Sequence, residues 1–278
     1  MPLTTMTEIL KDARERQYAV PLFSTPTLNT AVGVLRAAET LNAPVIFGFY
    51  DLWIEMPEAH AVCAGMRALA NASPVPVSLM LDHGKNFEQC IKAMRFGFTD
   101  VMFDGSALPF TENARITKMI CQAAHAIGVG VEAELGHVGK GDDYNDADVR
   151  AHYTQPGMLE DFVSETGVDF LAVAIGTAHG EYKSTPKLDL ELLAELNTIS
   201  TVPLVLHGGS GLSEEQFLGS IKHGIAKVNV ATAIFKEYVK RVSGAKDADI
   251  IALEELERQT FADVCAYFLQ LFGAERKA

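Results

Sequence analysis

The residues best suited to chemistry in this sequence are polar side chains set at the ends of short apolar runs. Asp82-His83-Gly84 ends one run, Asp104 ends another, and Glu132 and Glu134 alternate along a third. His179 stands in Gly176-Thr-Ala-His-Gly180, His207 opens His207-Gly-Gly-Ser-Gly211, and Asn229 leads to Thr232. One histidine at a strand end reads as a hydrogen-bonded structural residue. Three of them, each followed by a glycine that lets a ligand approach closely, read as a metal centre. Each imidazole offers one nitrogen, and three such ligands with an open fourth position suit catalytic zinc.

The His207–Gly211 turn exposes several backbone N–H groups and the Ser210 hydroxyl before a helix entered at Ser213–Glu214. That arrangement suits a phosphate, although Gly-Gly also makes ordinary turns. Thr232 either completes the phosphate cradle or caps a helix. His60, His125 and His223 read as helix-surface residues. His137 and His152 flank a polar loop from Gly139 to about Pro156, as solvated residues or as substrate contacts. A long polar loop in a compact chain is often a mobile active-site element.

Eight apolar, β-rich runs must position these groups: 18–24, 44–49, 75–83, 100–105, 128–136, 170–176, 203–209 and 226–231. They are apolar on both sides of the pleat, as parallel strands covered on both faces are. Helical patterns lie between them, clearest at 29–41, 87–96, 113–127, 190–197 and 214–223, and the tail 247–270 reads as one or two helices. The alternation predicts an α/β fold, a (β/α)8 TIM barrel, with a doubly wound open sheet as the alternative. We expect a single domain over residues 1–278 with extra terminal helices. In such a barrel chemistry sits at the C-terminal strand ends, where these polar residues fall.

Composition narrows the functions further. The 278 residues carry 23 Lys+Arg and 36 Asp+Glu, a net charge of −13. That balance disfavours a nucleic-acid groove, which neutralises phosphates with Lys and Arg. It leaves room for a small phosphorylated substrate held by backbone N–H groups. Cys63, Cys90, Cys121 and Cys265 are far apart and read as free thiols in a reducing compartment. The N-terminus has no apolar signal core, and no stretch approaches the roughly 18 apolar residues of a membrane span. A cytoplasmic protein is expected.

Five segments resemble a known family. LDHG (Leu81–Gly84), VEAELG (Val131–Gly136), AIGTAHGEY (Ala174–Tyr182), LVLHGGSGLS (Leu204–Ser213) and KVNVAT (Lys227–Thr232) look like the motifs of class II, zinc-dependent ketose-phosphate aldolases, the tagatose-bisphosphate and fructose-bisphosphate branch. The resemblance runs in order from about Thr7 to Phe272. It implies His83, His179 and His207 as zinc ligands and Asp82 as the group that exchanges a proton with the hydroxyl at the bond being broken. Gly180, Gly208, Gly209, Ser210 and Thr232 match the binding site for the phosphate of dihydroxyacetone phosphate, and Asn229 matches the residue holding its hydroxyketone part. Asp104 and Glu134 match carboxylates beside the metal, or a second metal position. The family also implies a homodimer or homotetramer, and a monovalent cation near the phosphate turn is a further expectation.

Three positions depart from the family pattern. Ser24 stands where an Asn is usual. Tyr50, followed by Asp51, stands where a small hydroxyl residue usually helps hold the phosphate of the aldehyde half. The two residues either shape that end of the site or face solvent. In the loop, Asp142 or Asp143 replaces a glutamate that transfers the second proton. The first two departures imply a ketose 1-phosphate whose aldehyde half lacks a second phosphate. The alternatives are a tagatose- or fructose-1,6-bisphosphate aldolase and a non-catalytic sugar-phosphate-binding subunit. A metal-free aldolase using Lys227 as a Schiff-base nucleophile is a further enzyme reading.

Overall fold

The eight apolar runs become eight parallel strands that close on themselves in sequence order. The computed structural model describes residues 3–139, 150, 152–180 and 186–278. The strands are β1 (Val20–Ser24), β2 (Val45–Tyr50), β3 (Val77–Gly84), β4 (Asp100–Phe103), β5 (Gly130–Leu135), β6 (Phe170–Val173), β7 (Leu204–Leu206) and β8 (Ile225–Val230). The last strand returns to the first, pairing Val20 with Lys227 and Leu22 with Asn229. Nearly every strand residue is buried, because the lumen covers one face and helices cover the other. The barrel excludes the open-sheet alternative.

Ten α-helices are described: α1 (Met6–Arg16), α2 (Leu28–Leu41), α3 (Ala59–Ala72), α4 (Phe87–Phe96), α5 (Phe110–His125), α6 (Pro156–Thr166), α7 (Leu190–Ile199), α8 (Glu214–Lys222), α9 (Thr232–Gly244) and α10 (Ile250–Leu271). Several starts carry side-chain caps that satisfy orphan N–H groups: Thr27, Asn86, Asp189, Ser213 and Asp249. The tail forms one 22-residue helix, α10, which packs on α2. Gly33 permits that approach, since a Cβ there would lie 2.5 Å from the Arg258 carbonyl oxygen.

At the opposite end from the polar residues, α1 is tied to the barrel floor. The Met6 N–H donates to both oxygens of Asp100 at 3.1 and 3.0 Å, and the Ser78 hydroxyl donates to the same carboxylate at 2.7 Å. Burial pushes the Asp100 carboxyl up to about 7, against these hydrogen bonds. The four cysteines are free and buried. Among the described residues, no helix is long and apolar enough to cross a membrane.

Candidate active site

The end of β3 sets the geometry. Successive side chains on a strand normally point to opposite faces. His83 breaks that alternation, because its φ of 55° is left-handed and the β3–β4 register shifts between Leu81 and Gly84. Histidine enters this region more readily than most residues, at a cost of about 1–2 kcal/mol. Gly84 must follow, since a Cβ there would meet the Met102 carbonyl oxygen at 2.5 Å. The kink brings Asp82 and His83 to one place, with His83 Nε2 4.0 Å from Asp82 Oδ1.

The β6 and β7 ends supply the other two histidines. Ring centroids lie 4.8 Å apart for His83–His179, 4.6 Å for His83–His207 and 6.0 Å for His179–His207. One ligand atom from each lies within 4.8 Å of the others. One nitrogen of each ring is held by the protein. His83 Nδ1 lies 3.1 Å from Asp104 Oδ2, His179 Nδ1 lies 3.2 Å from the Val138 carbonyl oxygen, and His207 Nε2 lies 2.9 Å from Glu132 Oε1. The remaining nitrogens face one another. His179 Nε2, His207 Nδ1 and Glu134 Oε2 are buried without a hydrogen-bond partner. Orphaned polar atoms of this kind are costly, and a cation satisfies all of them together. The donor set therefore fits zinc.

At His179 the electrostatics support ligation. Burial pushes His179 down to about 4, helped by repulsion from His83 and His207, and a neutral imidazole is the ligating form. Against the cost of burial, His207 is raised to about 9 by two carboxylates, Glu132, which accepts from its Nε2, and Glu134, whose Oε2 lies 3.4 Å from Nδ1. A cation at Nδ1 takes the place of that extra proton. Against the cost of burial, His83, Ser106 and Lys85 hold Asp104 well below the usual carboxylate range. Asp104 Oδ1 also accepts from the Ser106 hydroxyl at 2.7 Å.

Around this centre the other sequence-derived residues take their places. Asn229 Nδ2 donates to Asp82 Oδ1 at 2.9 Å, and its own Oδ1 is buried with no partner. Gly208 is left-handed, with φ 69°, and a Cβ there would lie 2.6 Å from the Ala178 carbonyl oxygen. Gly209, Ser210 and Asn229 line a cavity of about 210 Å³ with Leu212, Phe217 and Ala233. Gly180 lies beside His179 with φ 89°. Thr232 is the first residue of α9 and Ala231 occupies the cap position, so Thr232 is not a helix N-cap. His60, His125 and His223 lie on helices or a helix end, away from the three rings. His137 Nδ1 lies 3.0 Å from the Ser106 hydroxyl. Asp142 and Asp143 lie outside the described residues.

Two positions left open by the sequence are now placed. Asp51 is only 4% exposed and does not face solvent. Its carboxyl is pushed up by burial, against Lys85 and His83, and its Oδ1 has no hydrogen-bond partner. The Tyr50 ring lies 6.2 Å from His83. Lys85 Nζ lies 3.2 Å from Asp104 Oδ2. Lys227, the candidate Schiff-base lysine, is fully buried and donates to both oxygens of Glu132 at 3.0 and 2.8 Å. An ammonium held this way is not the neutral amine a nucleophile needs. Sequence reasoning gave no role to Glu132, Lys85 or Ser106. The signal for Glu132 was its spacing, two residues before Glu134 on one face of β5.

The family model described as Fructose-bisphosphate aldolase class-II matches residues 4–277. The chain is 36% identical over 267 residues to the uncharacterized protein YdjI of Escherichia coli K12, covering 96% of each. It is 42% identical over 238 residues to a probable fructose-bisphosphate aldolase of Bacillus subtilis, covering 84% of this chain and 82% of that one. Among solved structures, the crystal structure of the E. coli YdjI aldolase superposes with a TM-score of 0.91 at 34% identity, covering 99% of both chains. A putative fructose-1,6-bisphosphate aldolase from Coccidioides immitis gives 0.89 at 30% identity, covering 97% of this chain and 96% of the other.

Proposed function

Because the chain belongs to the class II fructose-bisphosphate aldolase family, we propose that it is a zinc-dependent aldolase, a carbon–carbon lyase, acting on a ketose 1-phosphate. It reversibly releases dihydroxyacetone phosphate and an aldehyde that carries no second phosphate. The observation that carries the metal is the set of inward nitrogens, His83 Nε2, His179 Nε2 and His207 Nδ1, each on a ring anchored at its other nitrogen. Held by His83, His179 and His207, zinc would supply Lewis-acid stabilisation of the negative charge that develops as the bond breaks.

The chain's own residues do the rest. Asp82 takes the C4 hydroxyl proton as the C3–C4 bond breaks. The Asn229 amide holds Asp82 Oδ1, which leaves Oδ2 to receive that proton. The orphaned Asn229 Oδ1 accepts a hydroxyl of the hydroxyketone unit. Backbone N–H groups of Gly180, Gly208 and Gly209, with the Ser210 and Thr232 hydroxyls, bind its phosphate. Asp104 holds His83 in place. Asp142 or Asp143 returns a proton to carbon.

Asp51 carries the substrate reading. A buried carboxylate beside Tyr50 repels a dianion, and the nearby cation, Lys85, already pairs with Asp104. A homodimer or homotetramer in the cytoplasm completes the proposal. The test is cleavage of a panel of ketose 1-phosphates and 1,6-bisphosphates, read by coupled dihydroxyacetone phosphate release, before chelation, after it and after zinc is returned. Loss on chelation and recovery with zinc is expected, with 1-phosphates preferred. Chelator-resistant turnover overturns the metal, and preference for a bisphosphate overturns the substrate. The same assay with and without potassium or sodium tests the monovalent cation.

A further inference from the structure

Glu132 and Lys227 sit within the barrel, and the proposed chemistry uses neither. Both are fully buried. They come from different strands, β5 and β8, and the histidine they meet follows a third, β7. Lys227 Nζ donates to Glu132 Oε1 and Oε2, one bond to each oxygen, which sets the plane of the carboxylate. The third contact is His207 Nε2 on Oε1 at 2.9 Å. An ion pair sealed from water is weak evidence for stability, since apolar residues of similar volume often serve as well. Its third partner suggests what it does.

We propose that Glu132 and Lys227 are positioning residues that fix the ring of His207 and keep a proton on Nε2, so that Nδ1 is the nitrogen offered to a cation. This rests on the metal-centre reading above. An imidazole has two possible donors, and a proton on Nδ1 would stand where the cation must be. A carboxylate only accepts, so Glu132 requires the N–H at Nε2. A flipped ring would lose this bond. His83 and His179 are anchored at Nδ1 and present Nε2, whereas His207 is anchored at Nε2 and presents Nδ1. The Glu132–Lys227 pair is what makes this third histidine different, and partners of this kind tune metal affinity by about ten- to hundredfold.

The experiment uses 15N-histidine-labelled full-length protein, chelated and zinc-loaded, with His207 assigned by loss of its signals in His207→Gln. Long-range proton–nitrogen spectra should show a slowly exchanging proton on His207 Nε2 in both states. In Glu132→Gln that proton should exchange at least tenfold faster. Its zinc Kd, measured by competition with a chromophoric chelator, should rise about ten- to hundredfold. Adding Lys227→Met to Glu132→Gln leaves an amide oxygen to accept and no ammonium to satisfy, so part of the lost affinity should return. A wild-type His207 with no proton on Nε2 overturns the proposal, whether or not any variant folds. An unchanged zinc Kd in folded Glu132→Gln also overturns it. If wild-type protein fails to bind zinc but keeps the Nε2 proton, the metal reading fails while the ring orientation stands.

Discussion

Replacing Asp100 with asparagine should remove most of one pH dependence of stability from the barrel floor. In the native protein the Asp100 carboxyl titrates at about 7, against an ordinary value of 3.8. Between those values the folded state binds a proton that the unfolded chain has released. Stability from this group is therefore fully present below about pH 4, falls as pH rises to about 7, and is flat above. The difference is about three pH units, and at 1.36 kcal/mol each the ceiling is about 4 kcal/mol. Asparagine keeps an acceptor for the Met6 N–H and carries no charge. Its amide replaces the acceptor that the Ser78 hydroxyl used, but that hydroxyl also lies 3.1 Å from Thr99 Oγ1. The lost bond offsets about 1 kcal/mol of the gain. The stability of Asp100→Asn minus wild type should thus climb from slightly below zero near pH 4.5 to a positive value of a few kcal/mol at most near pH 8. Urea unfolding of both proteins across that range, with chelator present in all samples, measures the difference directly, provided the m-values agree. A difference that does not change with pH, or that becomes more negative as pH rises, would refute the reasoning.

Further expectations concern the site. Asp82→Ala should lower kcat by at least about 10²–10⁴, the range for a general base, while a chelator titration finds the zinc still bound. Gly208→Ala forces a side chain into a left-handed position 2.6 Å from the Ala178 carbonyl oxygen. It should raise KM for the ketose phosphate at least tenfold and lower thermal stability by about 1–2 kcal/mol or more in steady-state and melting assays. Asp51→Ser removes a buried negative charge next to Tyr50. The ratio of kcat/KM for a 1,6-bisphosphate over a 1-phosphate should then rise by about tenfold, or 1.4 kcal/mol. An unchanged ratio would show that Asp51 does not set the choice.

The strands were legible because parallel strands covered on both faces leave unbroken apolar runs, and all eight runs became strands. Their ends were less clear. The run 203–209 shortens to Leu204–Leu206, because His207 and the left-handed Gly208 leave the ladder for the turn. Among the helices, α3 and α9 start without a side-chain cap, as does α5, whose 16 residues were legible all the same. In the site, the three histidines stood out by type and by the glycines beside them. Their anchors did not. That Glu132 meets His207 and Lys227 depends on the lateral register of strands far apart in sequence, and no local pattern carries that register. Asp51 stayed ambiguous for a similar reason. Its burial is a tertiary property, with the 3-10 turn Trp53–Glu55 and the Lys85 segment close to it.

The seam between β1 and β8 gives this barrel an assembly logic. Asn229, which orients Asp82, lies on the strand that closes the ring, 147 residues along the chain from its partner. Contacts of such long range form late in folding, since loop-closure entropy must be overcome first. A chain still growing, or one halted before β8, lacks both the amide that aims the base and Lys227, the partner of Glu132 beside His207. Turnover therefore begins at ring closure, and regained activity during refolding reports on the final joining of the sheet rather than on collapse.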